Sequence, residues 1–323
     1  MFLVDTPYDQ KNLQITPTRN GYGAGLMELG NSVPSVVVLT ADLAESTRVQ
    51  DFQKAFPERF FEMGVAEQNM MGVAAGLALS GKIPFVSSYA VFSPGRNWDQ
   101  LRVSVCYSQA NVKIAGSHVG LSVGADGATH QALEDIGMTR SLPNLVVLCP
   151  ADAHEAKKAT IAAARHTGPV YLRFSREATP VFLADSAPFE IGKAHVLRNG
   201  SDVTLIGCGP LLYRALLAAE ELAKDHITAE VINASTIKPL DEKTILRSVN
   251  KTRAVVTIEE HQVMGGLGSA VAETLVQNLP TAMEMVGMPN HFGESGKAEE
   301  LWQKYGMTVG HIIQAAKKVL ERK

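Results

Sequence analysis

The chain has 323 residues, 46% hydrophobic and 20% charged, which allows two domains of ordinary size and excludes an extended disordered chain. A formal net charge of -3 with no Lys/Arg block argues against nucleic acid or an anionic membrane as partner. No apolar run reaches the length of a membrane span.

Hydrophobic periodicity predicts a helix near residues 19–30, a strand at Ser35–Leu39, a helix over 65–79 and a strand at Ile83–Ser87. A helix near 95–108, strand Val112–Ala115, a helix near 131–141 and strand Leu145–Cys149 come next. A helix over 152–166, which Asp152 can cap and Gly168 can end, leads to strand Val170–Phe174. Residues 177–200, with Pro180, Pro188, Gly192 and Gly200, read as a connection. A second series follows, with strands Val203–Ile206, Ala229–Ile232, Ala254–Ile258 and Ala282–Val286. Its helices fall near 210–225, 241–249, 267–278, 297–304 and 308–321. Alternating helices and near-continuous apolar strands predict an α/β chain of two domains, each a mostly parallel sheet with helices on both faces. The domains are placed at 1–186 and 187–323.

Three cysteines, Cys106, Cys149 and Cys208, lie in apolar runs and read as reduced core residues of a cytoplasmic protein. The opening Met-Phe-Leu-Val-Asp-Thr-Pro has neither the basic region nor the apolar stretch of a signal peptide.

Ligands of open parallel sheets bind beyond the carboxyl ends of the strands. Asp42 and Ser46 follow the first strand, Tyr89 and Phe92 the second, His118, Asp126 and His130 the third, and Arg176 the last. In the second series, Glu259, Glu260 and His261 are the comparable group, expected after its third strand. Glu67 opens an otherwise apolar helix, in which Gly72 and Gly76 predict close packing. A carboxyl group there is either catalytic or a first-turn acid favoured by the helix dipole.

The loop His118–Gln131 combines glycines with two histidines and an aspartate. Spacings of this kind in a loop match no standard metal pattern; proton handling and hydroxyl binding suit them better, and a structural turn is the plain alternative. Gly207-Cys-Gly-Pro and Gly265-Gly-Leu-Gly lack the full dinucleotide fingerprint and serve better as tight helix starts.

Taken together, Gly-Val-Ala-Glu67-Gln, Ser88-Tyr89-Ala-Val-Phe92 and Gly-Ala-Asp126-Gly-Ala-Thr-His130-Gln resemble the C-terminal half of the transketolase family. Leu-Arg-Phe-Ser-Arg176 and Ile-Glu-Glu-His-Gln-Val-Met-Gly-Gly support the resemblance, which spans nearly the whole chain. It implies a pyrimidine-binding domain for thiamine diphosphate followed by a C-terminal domain concerned mainly with assembly. Glu67 then resembles the glutamate on N1′ of the cofactor's aminopyrimidine, which promotes loss of the thiazolium C2 proton. Phe92 and Tyr89 match the aromatic pair at the pyrimidine, and Asp42 is assigned to the cofactor side. Arg19, Ser46, His118 and Arg176 match the sugar-phosphate cluster, and Asp126 and His130 the residues that read substrate hydroxyls.

The Gly-Asp-Gly motif that holds the diphosphate and Mg²⁺ in such enzymes is missing from the chain. The resemblance therefore implies a split transketolase, whose N-terminal diphosphate-binding subunit holds the metal; this chain is assigned no metal ligand. Self-association through both domains would give a heterotetramer. Alternative readings are a deoxyxylulose-phosphate-synthase-like or 2-oxoacid-dehydrogenase-beta-like subunit, which His118 and Arg176 fit less well, and a non-catalytic scaffold.

Overall fold

The structure, a computed structural model, describes residues 2–323. Six parallel strands form the larger sheet, in the spatial order Val146–Leu148, Val170–Phe174, Lys113–Ser117, Ile83–Tyr89, Val36–Thr40 and Phe60–Glu62. The middle four are buried along nearly their whole length, because helices cover both faces. A seventh strand, Thr236–Lys238, arrives from the second domain and pairs antiparallel with Val146–Leu148. The smaller sheet has five strands in the order Ala282–Met288, Ala254–Gln262, Val203–Gly207, Ala229–Asn233 and His195–Arg198, the last antiparallel. Both α/β domains are therefore as expected, but the smaller sheet gains one edge strand, His195–Arg198, and the larger two, Phe60–Glu62 and Thr236–Lys238, from segments not read as strands.

The two domains share a core. Val37, Leu39, Met70 and Met71 of the first belong to one apolar cluster with Ile206, Ile232 and Val255 of the second. Cys106, Cys149 and Cys208 are buried free thiols. Among the described residues no helix is long and apolar enough to cross a membrane.

Helix Thr18–Ser32 presses on helix Ala153–Arg165 so closely that a Cβ at Gly21 would stand 2.0 Å from the Ala153 carbonyl oxygen. This contact carries Arg19 to the carboxyl edge of the sheet. Asp152 caps the partner helix, accepting from Glu155 N–H at 2.9 Å. The expected helix over 95–108 is an α turn, Trp98–Gln100, running into a π-helical Leu101–Tyr107. Helix Glu67–Leu79 forms as expected, yet a Cβ at Gly72 or Gly76 would meet nothing within 4 Å in this chain. Its glycine face is open, flanked by Val65 at 69% and Leu79 at 71% exposure.

Candidate active site

The carboxyl ends of Val36–Thr40, Ile83–Tyr89, Lys113–Ser117 and Val170–Phe174 lie side by side, and the residues following them converge. Glu67 is 3% exposed, and among the described residues its carboxylate is hydrogen-bonded only by Arg96, whose Nη1 lies 3.5 Å from each oxygen. Asn97 Nδ2 holds the Glu67 backbone carbonyl at 3.3 Å. The Arg96 guanidinium also lies over the Phe92 ring, 4.1 Å from its centroid. Arg96 was not singled out from the sequence; its place one turn beyond Phe92 is the signal that was there to be read.

Phe92 and Tyr89 stack at 5.9 Å between centroids, and His130 stands edge-on to both, at 5.6 and 6.1 Å. His118 stacks on Tyr89 at 3.8 Å. Its Nε2 lies 3.3 Å from Arg19 Nη1, a pure donor, so Nε2 accepts and Nδ1–H faces Ser117 Oγ at 3.0 Å. His118 is neutral in this arrangement. Burial depresses its pKa from 6.5 to about 3, and the charges of Arg19, Arg176, His130 and Arg48 push the same way.

Arg19 Nη1 donates to the Ser46 carbonyl at 2.7 Å, so Ser46 contributes its backbone to the cluster. Burial, followed by Arg48 and Arg176, lowers the Arg19 pKa to about 10. Arg48, held in a left-handed conformation with φ 65°, is a second cation that sequence reasoning missed. Arg176 Nη1 donates to the Val123 carbonyl at 2.6 Å and lies 3.6 Å from Asp126 Oδ2. Three arginines that raise one another's energy, with Asp126 flanking Arg176, form a site suited to a multiply charged anion. A cleft of about 1140 Å³ between the domains opens here. Its walls include Arg19, Val123, Arg176, Tyr213 and Trp302, and do not include Glu67 or Phe92.

Asp42 stands apart. It is exposed with φ 60°, and its backbone N–H donates to Glu62 Oε1 at 2.7 Å. Among the described residues its carboxylate makes no hydrogen bond to the cluster. Glu259, Glu260 and His261 lie within strand Ala254–Gln262, buried, where a loop position was expected. Glu259 accepts from Leu267 N–H at 2.7 Å and Gly268 N–H at 2.8 Å, so the helix start at Gly265-Gly-Leu-Gly is occupied by an internal carboxylate. Among the described residues no three His, Cys, Asp or Glu converge to hold a metal ion.

The Glu67–Phe92 corner fits an aminopyrimidine. A planar N–C–N group already lies over the ring there, with nitrogen toward the carboxylate: the Arg96 guanidinium, whose side chain is 52% exposed. An aminopyrimidine presents the same planar arrangement of nitrogens.

The two sheets and their connections match known domains. Residues 15–181 correspond to the transketolase pyrimidine binding domain and residues 192–312 to the transketolase C-terminal domain. The chain belongs to the transketolase family. It is 43% identical over 305 residues to a 6-deoxy-6-sulfo-D-fructose transketolase subunit of Clostridium sp. (strain MSTE9), covering 94% of this chain and 95% of that one. An apulose-4-phosphate transketolase subunit of Phocaeicola vulgatus is 38% identical over 299 residues, covering 92% and 96%. A solved chain described as split gene transketolase, inactive beta4 tetramer, matches with a TM-score of 0.88 at 45% identity, covering 95% and 98%.

Proposed function

We propose that this chain is the pyrimidine-binding subunit of a two-subunit, thiamine-diphosphate-dependent transketolase. The reaction moves a two-carbon ketol unit from a ketose phosphate to an aldose phosphate. The observation that carries the reading is a chain of contacts: Arg96 bridges the Glu67 carboxylate to the Phe92 ring, Phe92 stacks on Tyr89, His130 stands edge-on to both, and His118 stacks on Tyr89 and meets Arg19, with Arg176 nearby. In this reading a proton-handling group stands at one end and an anion site at the other, with hydroxyl-reading groups between.

When bound, thiamine diphosphate would supply the carbon nucleophile of the reaction. The chain's own residues do the rest. Glu67 holds a proton at the pyrimidine N1′, in a corner closed to water on the protein side. Phe92, with Tyr89 behind it, orients the ring. Arg19, Arg176 and neutral His118 bind the sugar's anionic end, and Asp126 and His130 face its hydroxyls. The two relatives described above are named for sugars with an anionic group, which suits this cluster.

The Glu67 corner lies outside the interdomain cleft, and the chain covers 95% and 96% of the two transketolase subunits described above. Both features support a second polypeptide that covers the corner and holds the diphosphate and Mg²⁺. The open face of helix Glu67–Leu79 offers an apolar surface for such assembly, and a heterotetramer with unlike subunits around each site is the arrangement we favour. Three buried thiols agree with a cytoplasmic setting. Coexpression with a Gly-Asp-Gly-bearing subunit should give ketol transfer that neither chain shows alone. A stable complex without transfer would instead favour a scaffold.

A further inference from the structure

The second domain reaches into this site through Glu260. Its Oε1 accepts from Ser122 N–H at 2.6 Å and Trp302 Nε1–H at 2.8 Å, and Oε2 accepts from the Ser122 hydroxyl at 3.1 Å. All three partners are donors, and Glu260, Ser122 and Trp302 are all buried. The loop sits directly on the carboxyl group: Gly120 has φ +75°, and a Cβ there would stand 2.4 Å from Glu260 Cδ.

The arms of the loop are held separately. Arg173 Nη2 donates to the Glu260 carbonyl at 2.9 Å and to Asp135 Oδ1 at 3.1 Å, and Gln262 N–H donates to the Leu133 carbonyl at 2.7 Å. The turn Leu121–Asp126 depends on Glu260 and on Gln131, whose Nε2 reaches the Leu121 and Glu294 carbonyls at 3.2 and 3.0 Å. One residue beyond Ser122, the Val123 carbonyl takes Arg176, and Asp126 flanks the same guanidinium.

We propose that Glu260 is a positioning residue for sugar-phosphate recognition. Its carboxylate, delivered by the second domain, fixes the Leu121–Asp126 turn so that Val123 and Asp126 aim Arg176 at the cleft. This rests on the transketolase reading above and gives the second domain a part in substrate binding beyond assembly.

Glu260→Gln keeps an acceptor for Ser122 N–H and Trp302, and its amide can donate to the Ser122 hydroxyl. Glu260→Ala removes all three bonds. In the assembled enzyme, Glu260→Ala should raise KM for a phosphorylated ketose about tenfold or more, with kcat changed less than about threefold, and Glu260→Gln should stay within about twofold of the parent. In the isolated chain, amide hydrogen exchange over residues 120–127 should speed up in Glu260→Ala, be restored in Glu260→Gln, and be unaltered in strand Val170–Phe174. Unchanged KM and exchange, failure of Gln to restore them, or equal loss of kcat and kcat/KM would overturn the proposal. Should Glu260→Ala not fold, Ser122→Ala decides, since it removes the hydroxyl bond to Glu260 Oε2 at a buried residue outside the cleft walls: a raised KM with faster exchange over residues 120–127 supports the proposal, and unchanged values overturn it. If the parent assembly transfers no ketol group, the functional reading falls, and exchange in the isolated chain alone judges the positioning.

Discussion

Arg96 Nη1 stands 3.5 Å from both carboxylate oxygens of Glu67, and its guanidinium lies over Phe92. In our reading a bound pyrimidine takes that place, so the cofactor must displace a cation–π contact worth about 0.5–1 kcal/mol at an exposed position. Arg96→Met should therefore lower the apparent Kd for thiamine diphosphate in the assembled complex by about two- to fivefold. Titration calorimetry would show it, and a weakened affinity would mean that Arg96 helps to hold the cofactor.

Glu67→Gln keeps the size of the side chain and removes its capacity to exchange a proton at N1′. Binding of thiamine diphosphate should remain measurable, whereas proton exchange at its C2 should slow by about 10²–10⁴-fold. Isotope exchange followed by NMR measures this directly. Parent-like exchange would show that another group handles the proton.

Arg176→Gln removes a charged donor from the anion cluster. A charge-assisted hydrogen bond contributes roughly 1.5–3 kcal/mol, so KM for phosphorylated sugars should rise about tenfold or more with little change in kcat. An unphosphorylated substrate should be nearly indifferent. Equal effects on both substrate types would move the anion site elsewhere.

His118 titrates near 6.5 in an unfolded chain and near 3 when folded, chiefly because it is buried. Between these values the unfolded state binds more protons, so stability rises with pH from about 3 and is complete above about 6.5. His118→Gln should flatten this dependence by up to about 1.4 kcal/mol per pH unit, the share of one proton. Denaturant unfolding of the isolated chain from pH 4 to 8 tests the sign, since an unaltered slope would mean that His118 is protonated when folded.

Arg173 and Asp135 form a fully buried pair at 2.8 Å, and Tyr171 OH also donates to Asp135 at 2.8 Å. Strong pairing with Arg173 holds the Asp135 carboxyl below its ordinary range despite burial. Asp135→Ala strands the guanidinium in the core and should cost about 3–5 kcal/mol. Chemical unfolding measures it; a loss under about 1 kcal/mol would show that water or a neighbour replaces the carboxylate.

Much of the site was legible because parallel α/β topology sends whatever follows each strand to one edge. Tyr89, Phe92, His118, His130 and Arg176 needed only strand ends to be brought together, whereas Arg19 was assigned from the family resemblance and is carried in by helix Thr18–Ser32. Arg48 escaped notice because it lies in an irregular segment where no periodicity announces direction, and Arg96 because it opens a segment that reads as an ordinary helix near 95–108. Asp42 lay after the right strand, but its left-handed backbone leaves the side chain exposed. Edge strands Thr236–Lys238 and His195–Arg198 were missed because three or four residues beside prolines and glycines carry too little pattern.

Apolar runs of period 2 and 3.6 were enough by themselves to set the order of the main elements and the two-domain plan, since burial acts locally on each segment; the candidate chemistry came from motifs that resemble the transketolase family. Tertiary structure alone decided how the domains are stitched. In the sequence Glu260 is one polar residue in a run of three, and only the close approach of Ser122, Trp302 and Gly120 gives it a partner. The contacts with Ser122 and Gly120 span more than a hundred positions, and no local pattern encodes a distance in space.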